Sequence, residues 1–235
     1  MAKTDNANGA QSNGAQRIVV INPNSTQACT DGIDEALEPL RFADGPKLDC
    51  LTLAEGPPGI ESQVLSDGVI GPICNLIRRE DNRADAFVIA CFSDPGLHAA
   101  REITRKPVVG IAEASYATAL QLGERFGVIA ILENSARRQR RYVRQLGLST
   151  RYAGSLPVGL GVVELEEGGV AERMIEVGKA LIEDHGADVL ILGCAGMARQ
   201  RGPVERALGV PVIDPSQAAA AQAIAAVRFG YAVPS

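Results

Sequence analysis

What the sequence lacks narrows its function before any motif is considered. No apolar run approaches the roughly 20 residues that a membrane span needs. The opening stretch MAKTDNANGAQSNGAQ (1–16) has no apolar core, so it does not read as a secretory signal. Its polar, Gly/Asn/Gln-rich composition reads instead as a disordered tail. The five cysteines (Cys29, Cys50, Cys74, Cys91, Cys194) are an odd number without CxxC spacing, which argues against a disulfide framework and against a zinc site. The expected compartment is a reducing cytoplasm. Positive charge is in deficit, with a formal net charge of −5, so no global field favours nucleic acid or an anionic membrane. The stretch INPNST (21–26) lacks the GxGxxG or GxxxxGK(S/T) spacing, so nucleotide binding has no motif behind it.

What is present is a chain of 235 residues, 46% hydrophobic, ample for a core in one large domain or two small lobes. Strand-like runs bounded by turn signals stand at 17–21, 47–53, 86–91, 107–111, 126–132, 151–156, 188–194 and 210–214. Helix-length segments separate them. In VAERMIEVGKALIEDH (170–185), Val170, Met174, Val177 and Leu181 form one helical stripe. An alanine-rich run from Ser216 to about Phe229 forms another helix. Strands alternating with helices predict parallel βαβ units with right-handed crossovers, and continuously apolar strands fit a sheet covered on both faces. The expected fold class is α/β.

The order of these segments repeats. VVINPNS (19–25) resembles IAILENS (129–135), pairing Asn24 with Asn134 and Ser25 with Ser135. ADAFVIAC (84–91) aligns with ADVLILGC (187–194), so that Cys91 and Cys194 coincide, and PVVGI (107–111) aligns with PVIDP (211–215). The offsets are 110, 103 and 104 residues, close to constant. Three matches in one order predict two similar lobes. The first spans 17–113 and the second 114–214, with a C-terminal helix (215–235) available to pack back on the first.

In open parallel sheets, ligands sit beyond the carboxyl ends of the strands, where both cysteines stand before a turn. Lobes packed about a pseudo-two-fold axis with those ends facing bring the two sulfurs to one cleft. Helix N-termini and turn amides behind them favour negative charge. Two opposed thiols suit inversion of a stereocentre: one, as thiolate, removes a proton, and the other returns one from the opposite face. A thiol with an ordinary pKa near about 8.5 is only a few per cent ionised at neutral pH, so one of the pair must be activated. The turn amides can also hold the developing oxyanion. The plain alternative is that each cysteine is a small core residue. Cys29, Cys50 and Cys74 lack repeat partners and read as structural.

INPNST, ACFSDPGL around Cys91, VVGIAEA after it and LGCAGMA around Cys194 together resemble the Asp/Glu/hydantoin racemase superfamily, and within it the hydantoin racemase branch that includes allantoin racemases. The resemblance runs from Arg17 onward. It implies two similar four-stranded α/β lobes with the active site between them, racemisation without cofactor or metal, and a homo-oligomer. Residue by residue, it implies that Cys91 and Cys194 are the catalytic pair and that Asn24 and Ser25 lie in a loop lining the substrate pocket. It further implies that Phe92, Ser93 and Gly96, with Ala195 and Gly196, form turns around substrate oxygens, and that Ile60, in PPGIES (57–62), packs on the substrate. Asn134 joins this set through the repeat. Glutamate and aspartate racemases usually carry Asn-Thr after the first cysteine and Thr after the second. The Phe92-Ser93 and Ala195-Gly196 found here favour a cyclic, less charged substrate. An acidic amino acid or a maleate-type dicarboxylate stays open as an alternative substrate, though the motif turns show no cationic clamp for it. A two-lobed small-molecule sensor is the non-enzyme alternative.

Other residues read more plainly. Asp94, before Pro95, reads as turn chemistry. Glu113 is a helix first-turn acid or reaches the cleft. His98 reads as an exposed helical residue and His185 as a helix-end residue complementing the dipole. The basic run RRQRRYVR (137–144) covers more than one helix face and reads as a solvated helix or subunit contact rather than a nucleic-acid site. The expected partner is a small-molecule substrate, with neither nucleic acid nor membrane.

Overall fold

A computed structural model describes residues 16–166 and 170–232. The tail read at 1–16 therefore lies, apart from Gln16, outside the described residues. The first half runs β1 (Arg17–Asn22), α1 (Gln27–Ala36), β2 (Lys47–Thr52), α2 (Gln63–Gly68), α3 (Ile70–Glu80), β3 (Ala86–Ile89), α4 (Leu97–Ile103), β4 (Val108–Gly110) and α5 (Ile111–Leu122). The second runs β5 (Phe126–Ala130), α6 (Glu133–Gln145), β6 (Tyr152–Pro157), α7 (Val170–Glu183), β7 (Val189–Leu192), α8 (Arg201–Leu208), β8 (Val212–Ile213) and α9 (Pro215–Phe229). Among the described residues no helix is long and apolar enough to cross a membrane.

The strands form two four-stranded sheets with the same order, β2-β1-β3-β4 and β6-β5-β7-β8, all pairs parallel. Side chains alternate across each strand. Ile18 and Val20 of β1, with Ala86 and Val88 of β3, point to one face of the first sheet. Phe126 and Val128 of β5, with Val189 and Ile191 of β7, point to one face of the second. All eight belong to a single core together with Tyr116 of α5 and Ala219, Ala220 and Ala223 of α9. The opposite faces have cores of their own: Val19, Ile21, Phe87 and Ile89 pack under α3 residues such as Ile73 and Ile77, and Ile129, Leu190 and Leu192 pack under Met174 and Leu181 of α7. Fully burying one such aliphatic side chain stabilises by about 1.5–3 kcal/mol.

Tyr116 is the joint between the halves. It is fully buried, and its ring packs on Phe92 at 5.7 Å, Phe126 at 5.3 Å and Tyr142 at 6.1 Å. Helix α9 begins at Asp214, whose side chain accepts from Gln217 N at 2.8 Å, with Pro215 in the first turn, and it ends at Gly230 in the left-handed region. It follows the second sheet in sequence but packs on β1, β3, β4 and α5 of the first half.

Candidate active site

Both sheets end their ladders in the same way. The last bond between β1 and β3 is Ala90 N to Ile21 O, and that between β5 and β7 is Gly193 N to Ile129 O, each 2.8 Å. The next residues are Cys91 and Cys194. From here the two strands release the chain into turns, and both cysteines line one cleft with about 460 Å3 of atom-free space, part of it open to solvent.

Each sulfur accepts a backbone N–H from the residue two positions on, Ser93 for Cys91 and Gly196 for Cys194. Cys91 Sγ also lies 3.4 Å from Ser93 Oγ, which is 3.1 Å from Ser66 Oγ. Burial pushes both thiols up, and the turn amides partly oppose it. The two sites then differ. A nearby guanidinium, Arg138, draws Cys91 back down, whereas Cys194 is raised further by the adjacent Cys29. A Cβ built on Gly196 would stand 3.8 Å from Cys194 Sγ and 4.0 Å from Cys29 Sγ, so the two sulfurs flank one glycine.

Asn24, Ile60, Phe92, Ser93 and Ala195 all line the cleft. Asn24 is buried and held by Asn22 Nδ2 and Thr26 N, both 2.9 Å from its Oδ1, while its Nδ2 reaches Cys29 Sγ at 3.6 Å. Gly196 contributes its N–H to Cys194. Ser25 lies beside the cleft rather than in its lining, with its N–H bonded to Pro57 O at 2.9 Å. Gly96, in the left-handed region at φ 69°, caps α4 and lines a neighbouring hollow. Asn134 is exposed on the first turn of α6 and outside the lining. The reason is register. The ladders make Ile129 the equivalent of Ile21, since they face Leu192 and Ile89. By that register Leu132, just before α6, stands at the place of Asn24, and the shorter second loop leaves Asn134 already on the helix.

Asp94 is a turn residue with a specific job. It sits at φ 44°, and its carboxylate accepts from Ala112 N (2.9 Å) and Glu113 N (2.8 Å) at the start of α5 and from Tyr142 Oη (3.1 Å) of α6. The turn after Cys91 is thereby bolted to both helices. Glu113 pairs with Arg101 at 2.5 Å, which accounts for its carboxylate. His98 is exposed.

The lining contains residues that the sequence reading left elsewhere: Cys29 on the first turn of α1, and Ser135, Arg138 and Gln139 on α6. Ser135, Gln139 and Val143 recur every four residues and form the buried face of α6. The basic run is therefore solvated only in part. Arg137, Arg140, Arg141 and Arg144 are exposed, but Arg138 turns inward, its Nη2 donating to Ser135 Oγ at 3.3 Å and Ile60 O at 3.4 Å. That i, i+4 spacing around the arginines was the available signal. Ile60 of the first half and Val162 of the second both line the cleft, and Val162 N donates to Glu61 Oε1 at 2.9 Å.

Comparison with known proteins agrees with this architecture. The family described as Asp/Glu/Hydantoin racemase matches residues 18–223. A hydantoin racemase of Pseudomonas sp. (strain NS671) is 41% identical over 204 residues, covering 84% of this chain and 80% of the relative. One from Paenarthrobacter aurescens is 35% identical over 219 residues, covering 92% of each. The solved structure of an allantoin racemase from Klebsiella pneumoniae superposes with a TM-score of 0.89 at 33% identity, covering 94% of this chain and 91% of that one. Two like sheets, a thiol at the same strand end of each and a match along nearly the whole length have one common account: this chain belongs to the Asp/Glu/hydantoin racemase family and is an isomerase.

Proposed function

We propose that the enzyme inverts C5 of a 5-substituted hydantoin or an allantoin-like ureide by a two-thiol mechanism. The observation that carries this reading is the placement of Cys91 and Cys194 at equivalent strand ends, in the lining of one cleft, each with an N–H from two residues on. One sulfur, as thiolate, takes the C5 proton; the electron pair moves toward the ring carbonyl; the other thiol delivers a proton to the opposite face. Each cysteine serves as base for one enantiomer. Ile60 and Val162 offer an apolar lining for the 5-substituent, and the relatives named hydantoin racemase and allantoin racemase support the ureide class. Incubating enantiopure 5-benzylhydantoin in D2O tests the proposal. Optical rotation should decay together with C5 deuteration, and Cys91→Ala and Cys194→Ala should each lose about 100- to 10,000-fold in rate. Decay no faster than the spontaneous rate from either enantiomer would sink the hydantoin assignment.

A second reading draws on Arg138, the cation that the motif turns alone did not reveal: an aspartate- or glutamate-type racemase would hold its substrate carboxylate there. Racemisation of those amino acids, with none of hydantoins, decides for it.

A further inference from the structure

We infer that Arg138 and Gln139, neighbours on α6, read the O=C–N–H edge of the substrate ring, Arg138 donating to the acyl oxygen next to the stereocentre and Gln139 Oε1 accepting the adjacent ring N–H. This inference deepens the hydantoin reading and rests on it. Gln139 is only 3% exposed and lines the cleft, yet its Oε1 has no hydrogen-bond partner. Its Nε2 packs close to the backbone of Gly193, 2.9 Å from where a Cβ would stand. Arg138 is anchored through Nη2 to Ser135 and Ile60, and its buried Nε and Nη1 have no partner.

Buried donors and acceptors without partners are costly, and native proteins leave few of them. Here two donors and one acceptor stand unmet on adjacent residues that line the same cleft. Their complement offers an acceptor to the arginine and a donor to the glutamine. The edge of a cyclic ureide does both. A dicarboxylate offers acceptors only and leaves Gln139 Oε1 unmet.

The same arrangement assists the reaction. When the thiolate sulfur takes the C5 proton, the C–H pair becomes the C=C bond of an enolate and the carbonyl π pair moves onto oxygen. Arg138 holds that oxygen while charge is on it. Return of the pair to carbon, with a proton from the opposite thiol, regenerates the carbonyl with no other reactant needed.

The test compares wild type with Arg138→Gln, Arg138→Lys, Gln139→Met and Gln139→Glu, each first checked by thermal melting. Substrates are 5-benzylhydantoin and its N3-methyl derivative, followed by C5 deuteration. Loss of the arginine should lower kcat by about 100-fold with little change in KM, the scale of one lost oxyanion donor, and Arg138→Lys should recover part of it. Wild type should disfavour the N3-methyl ring by about tenfold or more. Gln139→Glu, which keeps the acceptor, should retain that preference, and Gln139→Met should lose it. A folded Arg138→Gln enzyme with unchanged kcat, or a Gln139→Met enzyme with the wild-type preference, overturns the inference while leaving the hydantoin reading intact.

A wild type inactive on every hydantoin overturns the ring-edge assignment together with that reading. A parallel measurement then isolates the arginine: the ratio of iodoacetate to iodoacetamide modification rates at Cys91, read by peptide mapping. A fall of about tenfold in Arg138→Gln marks Arg138 as a site for anionic oxygen. An unchanged ratio removes that role.

Discussion

At the scale of single residues, the proposed two-thiol chemistry would have to run on thiols that burial holds in the protonated form. The pKa values of both Cys91 and Cys194 lie above the ordinary thiol value, so the reactive thiolate is scarce at neutral pH. A raised pKa places the ascending limb of the rate on the alkaline side, and kcat/KM is expected to increase from pH 7 to pH 9. Arg138 lowers the Cys91 pKa, so Arg138→Gln should move that limb to still higher pH. A pH–rate profile of both proteins checks the sign.

Asp94 has a second pH signature. Burial raises its carboxyl to about 7, against an ordinary value of about 3.9. The native state therefore disfavours its charged form, and this contribution to stability is present below about pH 4 and lost as pH climbs through 7. Asp214, raised by burial to about 6, acts with the same sign. The urea midpoint of Asp94→Asn should fall less between pH 5 and pH 8 than that of wild type.

At the scale of elements, the sequence was informative wherever a pattern is local. Eight apolar runs become eight strands, and the alignment of ADAFVIAC with ADVLILGC matches equivalent ladder positions, which is why both cysteines land at strand ends. The first loop was harder. Apolar strands match one another at several registers, and the choice that paired Asn24 with Asn134 differs from the ladder by two residues. Cys29, Arg138 and Gln139 were illegible for another reason. Which face of α1 or α6 turns inward depends on the other half of the chain, and a run of arginines masks the buried stripe between them.

Glycines test the fit between elements. A methyl group on Gly110 would collide with the Asp94 carboxyl, whose Oδ2 lies 2.5 Å from the built position. Gly110→Ala should cost about 1–3 kcal/mol and loosen the turn behind Cys91, seen as a lower melting temperature and reduced racemisation. Gly68, the last residue of α2 with nothing within 4 Å of a built Cβ, is the control: alanine there should stabilise by about 0.4–1 kcal/mol.

At the scale of the whole molecule, α9 ties the end of the chain to its beginning. Its buried face, Ala219, Ala220, Ala223 and Val227, completes the core shared by the two sheets. A chain ending at Asp214 should lose its compact fold altogether rather than one half of it, detected as collapse of the near-ultraviolet circular dichroism and of amide dispersion.

Because that core draws side chains from both sheets, neither half covers both faces of its sheet by itself, although the sequence reads as two copies of one motif. Symmetry in the sequence is thus not independence in folding. Heating or denaturant should melt the enzyme in one cooperative step, with coincident midpoints from probes in either half and calorimetric and van't Hoff enthalpies in agreement. A half-length unit made alone would leave that apolar face open to water and would have to cover it with a second copy of itself.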